Sequence, residues 1–274
     1  CTTSDSNEVI SKIKRKTYED LGNFDSDSNL LTVENGILHL DTLELTPHTH
    51  TNLSKILIPC AFITPKFDDI EGNLKDTLFW KYLKNSFTVK GKFIKEDFET
   101  VLEVMASVFI KHQIDEKSVM FLGNGENGKS VCLDYLSSLI GKNNISHIPL
   151  HKLAEDKFAM AKLDGKLANV FADLEKNELR HTGCIKGISS GEPCFVQNKG
   201  KDGFDLYPMC KLIFSTNKFP KVFDQTQGFF RRWIIIKWNR NFENDPDRIS
   251  NLKDTLIDNQ EEKNLVFSSL MKLA

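Results

Sequence analysis

From Ser118 onward the apolar residues fall into short, unbroken runs separated by stretches with helical spacing: Ser118–Leu122, Ile145–Leu150, Leu167–Ala172, Lys211–Thr216 and Trp233–Trp238. Strands without polar alternation are buried on both faces, so these runs predict a parallel sheet covered by helices on each side. The chain before Ser118 reads differently. Leu30 to Phe62 predicts β-structure, with Asn35-Gly36 as a hairpin turn signal and Pro47 and Pro59 as punctuation. Phe67 to Gln113 predicts helices. In the last of them Phe98, Val101, Leu102, Met105 and Phe109 recur at helical spacing, which marks a core stripe rather than a ligand site. Residues 1–28 are polar, with a basic cluster from Lys12 to Lys16, and predict a lead-in or helix end with a solvated face. The expected organisation is an N-terminal β-hairpin plus helical domain over 1–112, an α/β core over 113–245 and a C-terminal helical segment over 246–274.

The first apolar run of the core leads into Gly123-Asn124-Gly125-Glu126-Asn127-Gly128-Lys129-Ser130, and Val131 opens a helical stretch. Strand, glycine loop and helix together form the context of the phosphate-binding pattern GxxxxGK[ST]. Glycines let successive amides point at phosphates, and the helix start adds its positive dipole end. Lys129 is expected to neutralise phosphate charge and Ser130 to hold Mg²⁺, with ATP contacting the loop from Gly123 through Val131.

Four further features follow the loop. Asp173 ends an apolar strand and shares parity with Glu175, so the expected roles are metal for Asp173 and polarisation of the attacking water for Glu175. A solvated turn carboxylate is the alternative for each. Asn217 closes the next strand, at the edge where open α/β sheets bind ligands. Arg231 and Arg232 precede the last strand; two arginines there imply an anion, such as the γ-phosphate met by an arginine finger, or else an ordinary surface pair. Between the acidic and asparagine strands, Gly191 to Phe204 reads as a hairpin with Lys199 and Lys201 at its tip and Phe204 nearby. Lysines with an aromatic suit a nucleic-acid backbone and base stacking; a solvated hairpin is the bland alternative.

Composition narrows the picture. The net charge of −2 excludes a uniformly basic nucleic-acid coat, so a polyanion site must be a local patch, and Phe195 to Lys221 holds five lysines against two aspartates. No apolar run approaches the ~20 residues of a membrane span and no signal-peptide pattern is present, which suggests the cytoplasm. Six cysteines without a CxxC pair read as free thiols. The chain starts at Cys1 without Met and ends inside a helical pattern, so a longer parent chain is expected.

In order, "GNGENGKS", "LDGKLANVFADLE", "IKGISSGEP", "KLIFSTNKFP" and "FFRRWIIIKW" resemble the superfamily III helicases of the poxvirus-type and phage or plasmid primase–helicase branch, and "LLTVENGILHLDTLELTPHT" resembles the region preceding their core. The resemblance runs from about Leu30 to the end. It implies an AAA+-like P-loop ATPase core after a smaller α+β domain. It also implies assembly as a ring, usually a hexamer, on single-stranded and forked DNA, with unwinding 3′ to 5′ and a primase domain elsewhere in the parent chain. It assigns Walker A to Gly123–Ser130, the acidic strand to Asp173, the sensor to Asn217, the arginine finger to Arg232 counted back from Trp238, and the DNA hairpin to Lys199 and Lys201. Many relatives end the acidic strand with two adjacent acids, whereas Ala172 precedes Asp173 here; Glu175 is the substitute. A clamping ATPase that does not unwind, and a small-molecule kinase, are the competing readings.

Overall fold

The computed structural model describes residues 3–19, 21–113, 115–172, 179 and 182–274. The strands are β1 (Leu30–Val33), β2 (Gly36–His39), β3 (Leu45–Thr46), β4 (Thr88–Val89), β5 (Lys92–Phe93), β6 (Ser118–Leu122), β7 (Ile145–Ser146), β8 (Ala168–Phe171), β9 (Cys194–Gln197), β10 (Gly203–Leu206), β11 (Lys211–Thr216) and β12 (Trp233–Lys237). The helices are α1 (Thr3–Lys16), α2 (Ile70–Leu74), α3 (Leu78–Ser86), α4 (Lys95–Ser107), α5 (Lys129–Ile140), α6 (Leu150–Glu155), α7 (Lys157–Met160), α8 (Gly183–Ser190), α9 (Gln227–Phe230), α10 (Leu252–Asp258) and α11 (Gln260–Leu270).

Five strands form one parallel sheet in the order β12-β6-β11-β8-β7. The strand before the phosphate loop is therefore internal, bonded to β11 on one side and β12 on the other. This is the arrangement of an AAA+-like P-loop core, as the apolar runs and the resemblance implied. Side-chain alternation splits the sheet's burial cleanly in two. Val119, Phe121, Ile213, Ile236 and Trp238 enter one apolar cluster, while Met120, Leu212, Phe214 and Trp233 enter another. Both faces are dry at the internal strands β6 and β11, which is why these carry no polar alternation; each fully buried large side chain contributes about 1.5–3 kcal/mol.

The first cluster runs from Leu31 to Met271 and takes in α3, α4, α5 and α11. It crosses both expected domain boundaries, near 112 and 245, so the terminal segments pack on the same face of the sheet. Polar contacts lock them there. Both carboxylate oxygens of Glu262 accept the first amides of α3, from Leu78 at 3.2 Å and Phe79 at 2.7 Å, an anion at a positive helix start. The second cluster lies under α6, α7, α8 and the β9–β10 hairpin.

Some local expectations shift. The β1–β2 turn is Glu34-Asn35, because Val33 pairs with Gly36; it lies one residue earlier than the Asn-Gly signal suggested. The run at 145–150 gives only a two-residue strand, as Pro149 precedes the start of α6. A small β4–β5 hairpin interrupts the stretch expected to be helical. The lead-in is α1, which exposes Val9, Ile10 and Ile13.

Asn169, fully buried in β8, is the polar exception on an apolar strand. Its Oδ1 accepts from Ser146 Oγ (2.9 Å) and Ile148 N (2.8 Å), and its Nδ2 donates to Ile148 O (3.0 Å). The amide stands in for ladder bonds where β7 stops after two residues. Asn169→Leu keeps the branched outline of the side chain but strands those groups, so an unfolding titration should show a loss of about 2–4 kcal/mol. A change below about 0.5 kcal/mol would show that the segment re-pairs without the amide.

Candidate active site at the phosphate loop

Parallel pairing brings the carboxyl ends of β6, β8 and β11 to one edge of the sheet, and the glycine loop emerges there. Four groups hold it. Gly123 N donates to Thr216 O at 3.2 Å, Phe242 N donates to Glu126 O at 2.7 Å, Asn127 Nδ2 donates to Trp238 O at 3.1 Å and Tyr82 Oη donates to Gly128 O at 2.7 Å. Gly123 is required by packing, since a Cβ would lie 2.4 Å from Trp238 O. Gly128 is required by conformation, at φ 89° immediately before α5. Lys129 is buried, with Nζ turned into the loop toward Gly123 O and Asn127 Oδ1 (3.2 Å). Ser130 is exposed in the first turn of α5, open to a metal. A cradle too narrow for any Cβ at its base, a lysine inside it and a helix start behind it fit a polyphosphate with Mg²⁺.

Beside Gly128 opens a cavity of about 300 Å³. Tyr82, Val131, Phe242, Ile249 and Leu252 give it apolar walls, and Asn85, Asp247, Arg248 and Asn251 add polar groups. It lies between α3 and the segment after β12, and is large enough for a base and sugar attached to the phosphates. Arg240 braces it. Its guanidinium donates to both oxygens of Asp245 (2.9 Å each), to Asp247 (2.6 Å) and to Asn85 O (3.0 Å), and stacks over Phe242. The bonds from Arg240 hold the Asp245 carboxyl below the usual range, and Asp245 raises Arg240 in turn. Burial pushes the Tyr82 hydroxyl well up and the Cys132 thiol to about 12, so neither ionises near neutrality. Sequence reasoning missed this cavity, whose walls lie more than 100 residues apart in the chain. The basic and acidic groups of Arg240, Asp245 and Asp247 were the one local signal.

The remaining expected residues divide between the two edges. Asn217 directly follows β11 and is exposed, one residue beyond the carbonyl that receives Gly123 N. Asp173 and Glu175 lie outside the described residues. Arg231 and Arg232 precede β12, whose Trp233 pairs with Ser118, so they sit at the opposite edge, roughly 16 Å of strand from the loop. The hairpin also springs from that far edge: Ser189 Oγ, just before it, hydrogen-bonds Ser118 Oγ at 2.7 Å. Lys199 and Lys201 are exposed at its tip. Phe204 packs inward against the second cluster; the exposed rings nearby are Phe195 (65%) and Tyr207 (71%). Strand parity explains this, since Phe204 shares a face with buried Leu206.

Comparison with known proteins agrees with this architecture. Residues 121–232 match a family of unknown function, DUF5906. Over 228 residues the chain is 24% identical to "Putative helicase 121R" of Invertebrate iridescent virus 3, covering 80% of this chain and 23% of that one. It is 25% identical over 168 residues to "Putative helicase 184R" of Invertebrate iridescent virus 6, covering 57% and 17%. The chain thus spans less than a quarter of the length of these curated relatives. Solved structures of the NrS-1 C-terminal region superpose with TM-scores of 0.60 and 0.59 at 15% and 12% identity, covering 97% and 98% of this chain and 60% of theirs. They show the shared fold. No helix among the described residues is long and apolar enough to cross a membrane.

Gly123→Ala tests the cradle. Overpacking costs about 1–3 kcal/mol, and here it falls on the loop's own bonds to Trp238 and Asn127. Calorimetric titration with an ATP analogue should show affinity weakened about tenfold or more while the circular dichroism spectrum is retained. Unchanged affinity would show that the loop does not bind nucleotide in this form.

Proposed function

We propose that this chain is the ATP-driven motor module of a viral or mobile-element DNA helicase, of the superfamily III type that its motifs resemble. One observation carries the reading. The glycine loop and Asn217 share one edge of a five-stranded parallel sheet, while the arginine pair and the lysine hairpin share the other. An arginine at that distance cannot serve its own subunit's loop, but it can serve a neighbour's in a ring. The similarity to iridescent-virus helicases supports the same class.

In this reading ATP lies with its phosphates over Gly123–Ser130 and its adenosine in the cavity beside Gly128. Lys129 leaves its loop partners to meet the transferred phosphoryl group, whose stabilisation is mainly electrostatic. Ser130 and Asp173 would hold Mg²⁺, which neutralises developing phosphate charge. Glu175 polarises the attacking water and Asn217 orients it. An arginine of the Arg231–Arg232 pair completes a neighbouring site, and the hairpin carries Lys199 and Lys201 along one DNA strand. A ring, usually a hexamer in the resembled family, and a primase domain in the parent chain belong to the same proposal. Strand displacement on a forked duplex tests it. ATP-dependent displacement supports unwinding; DNA-stimulated turnover without displacement would favour a clamp, and turnover indifferent to DNA a kinase.

Two variants sharpen the test. Lys129→Ala should abolish ATP turnover and keep its circular dichroism spectrum; a folded mutant hydrolysing near the wild-type rate would remove the loop from catalysis. Replacing Lys199 and Lys201 together with Ala should flatten the slope of log K against log salt on single-stranded DNA by roughly 1.4 units, at about 0.7 per phosphate neutralised. Basal turnover should survive, because the hairpin and the loop sit at opposite edges. An unchanged slope would leave the hairpin merely solvated.

A further inference from the structure

Arg231 and Arg232 are consecutive, yet the fold treats them oppositely. The Arg232 side chain is 13% exposed and held by three groups: Gly228 O at 2.6 Å, Ser190 Oγ at 3.0 Å and Glu116 at 3.1 Å. The Arg231 side chain is 60% exposed, and its guanidinium meets Glu116 at 3.2 Å. The Arg231 main chain, by contrast, is pinned. Its carbonyl accepts from Lys117 Nζ at 2.6 Å and its amide donates to Gln227 O at 3.0 Å. Glu116, which faces both guanidiniums, sits at φ 53°, a conformation that a non-glycine residue holds only against steric resistance.

We propose that Arg231, not Arg232, is the arginine that one subunit delivers to its neighbour's nucleotide, with the partly buried Arg232 as the brace beneath it. The proposal rests on the ring-ATPase reading above. Extending Arg232 would break three contacts and strand a carbonyl and a hydroxyl. Extending Arg231 exchanges one half-exposed carboxylate for a phosphate, like for like in charge. Glu116 then keeps Arg232 as its partner, so no anion is left alone. A pinned backbone beneath an exposed head fixes the direction of reach without confining the guanidinium. Arg232 also joins the turn carrying Arg231 to Ser190, at the end of α8 and four residues before the β9 hairpin strand. Removing it should therefore loosen the local structure rather than the chemistry.

The experiment measures ATP turnover against protein concentration, with thermal melting, for wild type, Arg231→Ala and Arg232→Lys. Arg231→Ala should lose about 10³-fold or more in turnover without a lower melting temperature. It should regain part of that turnover when mixed with Lys129→Ala, since some interfaces then pair an intact loop with an intact arginine. Arg232→Lys should melt lower but keep most of its turnover. Arg231→Ala hydrolysing at the wild-type rate would overturn the proposal on its own, whether or not Arg232→Lys folds. So would a folded Arg232→Lys as inactive as Arg231→Ala, or no recovery in verified mixed assemblies. A wild-type chain that hydrolyses no ATP at any concentration is a different failure: it sinks the ring-ATPase reading, and this assignment with it, before any variant is made.

Discussion

Parallel hydrogen bonding of β6 to both β11 and β12 is the constraint on which the rest depends. Parallel neighbours start at one edge and finish at the other. Whatever follows a strand, such as the glycine loop after β6 or Asn217 after β11, gathers at the carboxyl edge. Whatever precedes one, such as Arg231 and Arg232 before β12, is carried to the far edge. The split between an edge carrying the glycine loop and Asn217 and an edge carrying the arginine pair is thus a property of strand direction, before any side chain is considered.

The second level of organisation is the tie between that sheet and the chain termini. The glycine loop is not self-supporting. Its conformation is held by Tyr82 from α3 and by Trp238 and Phe242 beyond β12. The same segments wall the cavity beside Gly128; Arg240 joins them through its bond to Asn85 O and is itself held by Asp245 and Asp247. Any closing of the cavity would therefore tighten the loop in the same event. A charged clamp suits that task, because its bonds are directional and it can reset without repacking an apolar core.

Two polar side chains follow the same logic on a smaller scale. Asn169 completes an edge that a two-residue strand leaves unpaired, and Glu262 closes the start of α3 from 184 residues away in sequence. Asn169 is satisfied by the Ser146 hydroxyl and the main chain of Ile148, and Glu262 by the amides of Leu78 and Phe79. Asn169, fully buried, would be costly to leave half-paired.

The chain alone determined the features that repeat locally. Continuous apolar runs marked the core strands, because both faces of a parallel sheet are dry. Gly123 to Ser130 marked a glycine loop between a strand and a helix, because Gly123 leaves no room for a Cβ and Gly128 takes a positive φ just before α5. The spacing of Gly191 to Phe204 marked a hairpin with a lysine tip. Only the tertiary structure decided what depends on distant residues meeting. It turned Phe204 inward and left Phe195 outside, since parity relative to a second cluster is not written in a hairpin. It set Tyr82 and Arg240 around the glycine loop, and it partly buried Arg232 while exposing Arg231. Two adjacent arginines are the same side chain to a sequence. They differ only in which neighbours the fold brings to each, and that follows from long-range packing, not from local composition.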